Sequence, residues 1–125
     1  MKPQRPLAHA AGAHAEELAL AHLPRAGLEL LARNVRYRHG ELDLVMLDGE
    51  ALVFVEVRYR RGGSFGDGID SVGAHKRLRL QRAAASYLAS QPQLARCACR
   101  FDVIAIAGPP AQPQFDWRRN AFDAC

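Results

Sequence analysis

Between Gly40 and Arg58 the chain sets Glu41, Asp43 and Glu56 among the apolar residues Leu42, Leu44, Val45, Leu52, Val53, Phe54, Val55 and Val57. Carboxylates brought together in this way suit a hard divalent cation such as Mg2+, which takes one or two protein carboxylates and keeps several waters. Such a cation would neutralise charge developing on a phosphate and make a positioned water more acidic, the two requirements of phosphodiester hydrolysis. The competing reading is a solvated rim of surface ion pairs, because carboxylates at strand ends are common. The run Leu52-Val53-Phe54-Val55 has no polar position and predicts a strand covered on both faces. An uncompensated carboxylate at its end would cost on the order of several kcal/mol, so a cation or a nearby Arg must answer it.

The elements that would hold these groups begin with a hairpin. Leu42 to Leu47 and Ala51 to Val57 read as strands, and Asp48-Gly49 is a dipeptide favoured in two-residue type I′ turns. With Leu47 paired to Glu50, Asp43 falls opposite Phe54 and Glu41 opposite Glu56. Opposed residues share a face, so Glu41, Asp43, Glu56 and Arg58 project from one side, with Asp43 and Glu56 on a diagonal of roughly 7–8 Å.

Upstream, residues 1–11 carry two prolines and no periodicity and are expected to be flexible. From Gly12 or Ala13 to about Pro24 the chain predicts an Ala/Leu-rich helix whose stripe is Glu16, Ala19, Leu20 and Leu23. A carboxylate on a core-facing stripe marks Glu16 as a group that reaches toward the acidic face, against the plainer reading of a helix-edge Glu held by Arg or water. Leu28 to Val35 or Tyr37 is the first expected strand, followed by Arg36, Arg38 and His39.

Downstream, Arg58 to Gly68 is basic, then Gly-rich, and includes Tyr59 and Phe65. Arg60 and Arg61 there suit nucleic-acid backbone contacts, beside aromatics that can stack on bases; an ordinary solvated loop is the alternative. Its glycines match no phosphate-binding fingerprint. Ser71 can cap a helix from about Val72 to Ser90, on which Lys76, Leu80, Ala84 and Tyr87 share a stripe while Arg77, Arg79 and Arg82 spread around the rest. Lys76 then either snorkels to solvent or stands at the edge of the acidic site. Arg100 to Ala107 is a further strand, and Phe115 to Trp117 a short last one. The order is αβββαβ, one α/β domain over residues 12–122 with a mixed central sheet flanked by helices, and a tail at 123–125.

These residues carry a family resemblance. Asp, a short hairpin and then Glu-x-Lys is the core motif of the PD-(D/E)XK nuclease superfamily. The fuller text, Gly40-Glu41-Leu42-Asp43-Leu44-Val45, Leu52 to Arg58, Lys76-Arg77-Leu78-Arg79, Arg100-Phe101-Asp102-Val103 and Asn120-Ala121-Phe122, resembles the YraN-type family of small bacterial proteins. That family is similar to archaeal Holliday-junction resolvases. The resemblance implies a restriction-endonuclease-like core, Mg2+ or Mn2+ held by Asp43, Glu56 and the Val57 carbonyl with Glu16 as an outer ligand, and a DNA substrate, branched or single-stranded. Glu41 belongs to the signature without a clear role. At Arg58 the sequence departs from the motif Lys. Arginine keeps a permanent charge but cannot act as a base, and Lys76 is a candidate to supply the missing ammonium.

Composition agrees without deciding. In 125 residues, 17 Lys and Arg against 13 Asp and Glu give a net charge of +4, compatible with a polyanionic partner. Arg36, Arg38, Arg60, Arg61, Lys76 and Arg79 are the candidate nucleic-acid contacts. No apolar run approaches the ~20 residues of a membrane span, and the polar N-terminus is unlike a signal peptide, so a cytoplasmic protein is expected. Cys97, Cys99 and Cys125 lack zinc-site spacing and are expected to be reduced. Two further readings share the fold: a nucleic-acid-binding module without hydrolysis, and a protein-interaction domain. Symmetric cleavage of a junction would need two sites, hence a homodimer.

Overall fold

The computed structural model describes residues 7–60, 73–109 and 111–122, with side chains described from residue 14 and except at residue 60. Helix α1 (Leu7–His22) runs through a 3-10 turn (Leu23–Ala26) into three strands, β1 (Leu28–Tyr37), β2 (Gly40–Asp48) and β3 (Ala51–Arg60). Helix α2 (Ala74–Ala89) and a short 3-10 turn (Pro92–Leu94) lead to β4 (Ala98–Ala107) and β5 (Gln114–Phe122). The strands form one mixed sheet in the order β1-β2-β3-β4-β5, antiparallel except between β3 and β4. A parallel pair needs a crossover, and α2 lies in it. This is the α/β architecture, a mixed sheet flanked by helices, expected of a restriction-endonuclease-like core.

The two sheet faces bury different partners. On one, Leu80, Ala83, Ala84 and Tyr87 of α2 pack with Val45, Leu52, Phe54, Phe101, Val103 and Phe122. The rings there are close, with Phe54 5.2 Å from Phe101 and Phe101 stacked on Phe122 at 4.7 Å. On the other, Ala15, Ala19 and Leu23 present a small-residue stripe to Leu44, Met46, Val53, Val55, Ile104 and Ile106. β3 is thus covered on both sides, as the unbroken apolar run requires.

Several boundaries differ from the sequence reading. α1 starts at Leu7, ahead of the expected Gly12, because Ala-rich sequence extends a helix readily. α2 starts at Ala74 with Gly73 at its cap and no side-chain cap bond; Ser71, the expected cap, lies outside the described residues. β5 reaches Phe122, well past Trp117. The hairpin register is also corrected. Asp48 pairs with Ala51 and Leu44 with Val55, so the two-residue turn is Gly49-Glu50. Gly49 has φ 62° and Glu50 is not among the positive-φ residues, the pattern of a type II′ turn with Gly first. The shift sets Asp43 level with Glu56 in place of Phe54.

α2 sits close on β2 because Gly40 has no side chain. A Cβ at Gly40 would stand 2.6 Å from the Arg79 carbonyl oxygen and 3.2 Å from its carbon. Gly40→Ala must therefore push α2 off the sheet, an overpacking cost of about 1–3 kcal/mol. We expect a lower midpoint in urea denaturation; a wild-type midpoint would mean that the helix is not seated on Gly40.

Candidate active site

Regular pairing of β2 with β3 runs from Asp48↔Ala51 to Leu44↔Val55. One step further a side chain enters: Asp43 Oδ2 accepts a hydrogen bond from the Val57 N–H at 2.9 Å. On the opposite flank Asn34 of β1 takes φ 54° between the pairs Arg33↔Leu44 and Val35↔Leu42, level with Asp43. Alternation along β2 breaks at the same place. Leu44 and Met46 pack on the α1 side and Val45 on the α2 side, yet Leu42 also packs on the α2 side. Asp43 is where β2 turns about its axis, which puts a carboxylate against the β3 backbone. Such local irregularity concentrates at functional sites.

Glu41, Asp43 and Glu56 line a cavity of about 440 Å³ with Gly40, His75, Lys76, Arg79 and Leu80. Glu56 is only 8% exposed, and its Oε1 lies 2.9 Å from Lys76 Nζ, which reaches in from the first turn of α2. Asp43 receives the Val57 N–H and faces like charges. Burial first, then the Glu56 carboxylate, raise its carboxyl from the ordinary 3.8 to about 8, with smaller upward pushes from Glu16 and Glu41 and an opposing pull from the Val57 hydrogen bond. Two adjacent carboxylates resist ionising together, so in the metal-free protein Asp43 holds its proton at neutral pH.

The remaining expected residues fall around this pair. Glu16, at the edge of the α1 stripe and not in its centre, is partly buried and lies 3.7 Å from Arg33 Nη2. Arg58 follows Glu56 by two on β3 and is partly buried. Glu41 is half-exposed and paired with Arg36 at 3.4 Å. Lys76 and Arg79 line the cavity, and Arg79 Nε donates to the His39 carbonyl at 3.3 Å; Arg36 touches its edge only through Glu41, and Arg38 is exposed in the β1–β2 turn and is not among the lining residues. Arg61 lies outside the described residues, as does the side chain of Arg60.

Among the described residues no group of three or more His, Cys, Asp or Glu side chains is gathered to hold a metal by itself. The donor set is the Asp43 and Glu56 pair, two hard oxygen ligands of the number Mg2+ ordinarily takes from protein, so these residues fit that class of cation. His75 is the cavity residue that sequence reasoning missed. Its signal was its place beside Lys76, one residue ahead of the expected inward stripe.

A profile of the Uncharacterised protein family UPF0102 matches residues 15–106. A UPF0102 protein of Xanthomonas campestris pv. campestris is 54% identical over 111 residues, 89% of either chain. One from Stutzerimonas stutzeri is 50% identical over 113 residues, covering 90% of this chain and 94% of the relative. One from Pseudomonas aeruginosa is 50% identical over 115 residues, 90% and 92%. No helix among the described residues is long and apolar enough to cross a membrane.

Because Asp43 binds its proton more tightly folded than unfolded, its contribution to stability is complete below about pH 4 and is lost as pH rises towards 8. Asp43→Asn keeps an oxygen for the Val57 N–H and removes the charge. Without metal, the variant should melt roughly 5–10 °C above wild type near pH 8.5, for a partly exposed group worth about 2 kcal/mol. That gap should close near pH 4. A difference independent of pH in thermal melts would contradict this account.

Proposed function

This chain belongs to the Uncharacterised protein family UPF0102, and from its site we propose that it is a Mg2+- or Mn2+-dependent endonuclease that hydrolyses DNA phosphodiester bonds, with branched or single-stranded DNA as the substrate class. The observation that carries this reading is the pair of a partly buried Asp43 and a buried Glu56 in a cavity whose wall also holds Lys76 2.9 Å from Glu56. A fold that needed only stability would gain little from holding two carboxylates together with a single ammonium between them and solvent.

In this reading Asp43 and Glu56 hold the cation, with the Val57 carbonyl and Glu16 as further oxygen donors. When bound, the cation supplies charge neutralisation at the phosphate and acidifies a water. Lys76 and Arg58 add positive charge against the phosphate oxygens. Arg36, Arg38, Arg60, Arg61 and Arg79 contact the nucleic-acid backbone, a charge-driven attachment that weakens with salt.

Arg58 favours a second reading. With the motif Lys replaced, the same surface would serve as a nucleic-acid-binding module that does not cleave. The two readings part on metal and on turnover. Calorimetric titration of Mn2+ should show binding to wild type and none to an Asp43→Asn, Glu56→Gln double variant. Wild type with Mn2+ should cut four-way-junction or single-stranded DNA, and Asp43→Asn should lose at least 10²-fold in rate. DNA binding that is salt-sensitive, survives the double variant and comes with no cleavage would select the module.

In the cleaving case Arg58→Ala and Lys76→Ala assign the cationic role. The variant whose kcat falls further, at unchanged Mn2+ affinity, removes the group that faces the phosphate; equal wild-type rates for both would remove either from the mechanism.

A further inference from the structure

Resting on the nuclease reading, we infer that His75 is the general base of this site, the residue that takes the proton of the attacking water. Hydrolysis needs such a group, and among the described residues the cavity offers few. Arg58 cannot give up its proton in any useful pH range. The Lys76 ammonium lies against Glu56 and has no lone pair to accept one. Arg79 is a donor to the His39 carbonyl, and Glu41 is paired with Arg36. Asp43 and Glu56 are the cation's ligands. His75 lines the cavity and carries a ring nitrogen whose lone pair can accept a proton.

Its position follows from the helix. Lys76, Arg79 and Leu80 stand at i, i+3 and i+4 and form the α2 wall of the cavity. His75 is four residues before Arg79, on the same wall at its outer edge, and is exposed. Among the described residues, the charged groups that share the cavity with it are Glu41 and Asp43 of β2, Glu56 of β3, and Lys76 and Arg79 of its own helix. His75 is exposed where Asp43 is partly buried and Glu56 buried, so a base there meets water entering from solvent.

The step balances as follows. The water oxygen bonds to phosphorus as neutral imidazole of His75 takes one of its protons. The bond from phosphorus to the leaving ester oxygen breaks with its electron pair on that oxygen, which is protonated from solvent. The imidazolium then returns its proton to solvent. In this scheme charge comes from Arg58 and Lys76 and proton transfer from His75, so the missing motif Lys need not be a missing base.

The test uses the full chain with saturating Mn2+ and labelled four-way-junction and single-stranded DNA. His75→Ala should keep the melting temperature and Mn2+ titration of wild type, lose about 10²-fold in kcat, and change the pH profile of kcat. Added imidazole should restore turnover in proportion to its neutral form, which a merely structural role would not produce. Wild-type kcat and pH profile in His75→Ala, or lost activity without imidazole rescue, overturns the assignment and leaves the nuclease standing. Absence of Mn2+-dependent cleavage by wild type overturns both.

Discussion

The hydrogen bond from the Val57 N–H to the Asp43 carboxylate marks the point at which β2 and β3 cease to be an ordinary ladder. Up to Leu44↔Val55 the two strands pair backbone to backbone, and the apolar core on both faces accounts for their stability. Beyond it a side chain takes a backbone partner, a positive-φ Asn34 lies on the other flank, and Glu56 is left buried beside a second carboxylate. Opening a ladder between strands makes room, and room at the end of a covered strand is what a cavity needs. The same opening removes water from two acids and sets them against each other. The rigid hydrophobic sheet holds them there, and Lys76 relieves one of the pair.

A second buried carboxylate shows how different the arrangement could have been. Asp102 is fully buried, yet it accepts from Arg100 Nε and Nη2 at 3.0 and 3.3 Å, from Trp117 Nε1 at 2.9 Å and from the Asn120 N–H at 3.0 Å. Arg100 is held in turn by Asp48 at 2.9 Å. The Asn120 bond has a structural consequence, because Asn120 adopts φ 51° where the β4–β5 register shifts between Phe101 and Val103. A carboxylate this well supplied with donors is a structural anchor. Asp43, with one backbone donor and three acidic neighbours, is the opposite case. The contrast separates a residue that ties strands together from one kept available for a positive partner.

Much of this was legible in the sequence, for physical reasons that also explain the misses. Leu52 to Val55 announces a doubly covered strand because it has no polar position, and Lys76, Leu80, Ala84 and Tyr87 at helical spacing announce the inward stripe of α2. Asp43 and Glu56 fall on one face in spite of a wrong register because the error was two residues, which leaves strand parity intact; Glu41 lines the same cavity but lies beyond the break in alternation at Asp43, so parity does not place it. The error itself came from the turn: Asp-Gly suits a type I′ loop with Gly second, whereas here Gly49 comes first and Glu50 follows. His75 was missed because one residue on a helix is about a 100° turn, and a cavity's edge is wider than a single stripe. Asp102 gave no signal of its full network, since beside Arg100 two residues away its partners Trp117 and Asn120 come from β5, up to 18 residues away.

The replacement of the motif Lys by Arg58 also reads differently once the cavity is known. A single Lys in this position would carry two duties, charge against the phosphate and orientation or activation of water. An arginine can perform the first and not the second, because its guanidinium stays protonated. Loss of function follows only if no other group can reach the water. Here α2, brought within contact of β2 by the absence of a side chain at Gly40, carries both an ammonium and an imidazole to the cavity wall. On the nuclease reading proposed above, the close seat of that helix would matter to chemistry as well as to stability, because duties joined in one side chain would be divided between β3 and α2.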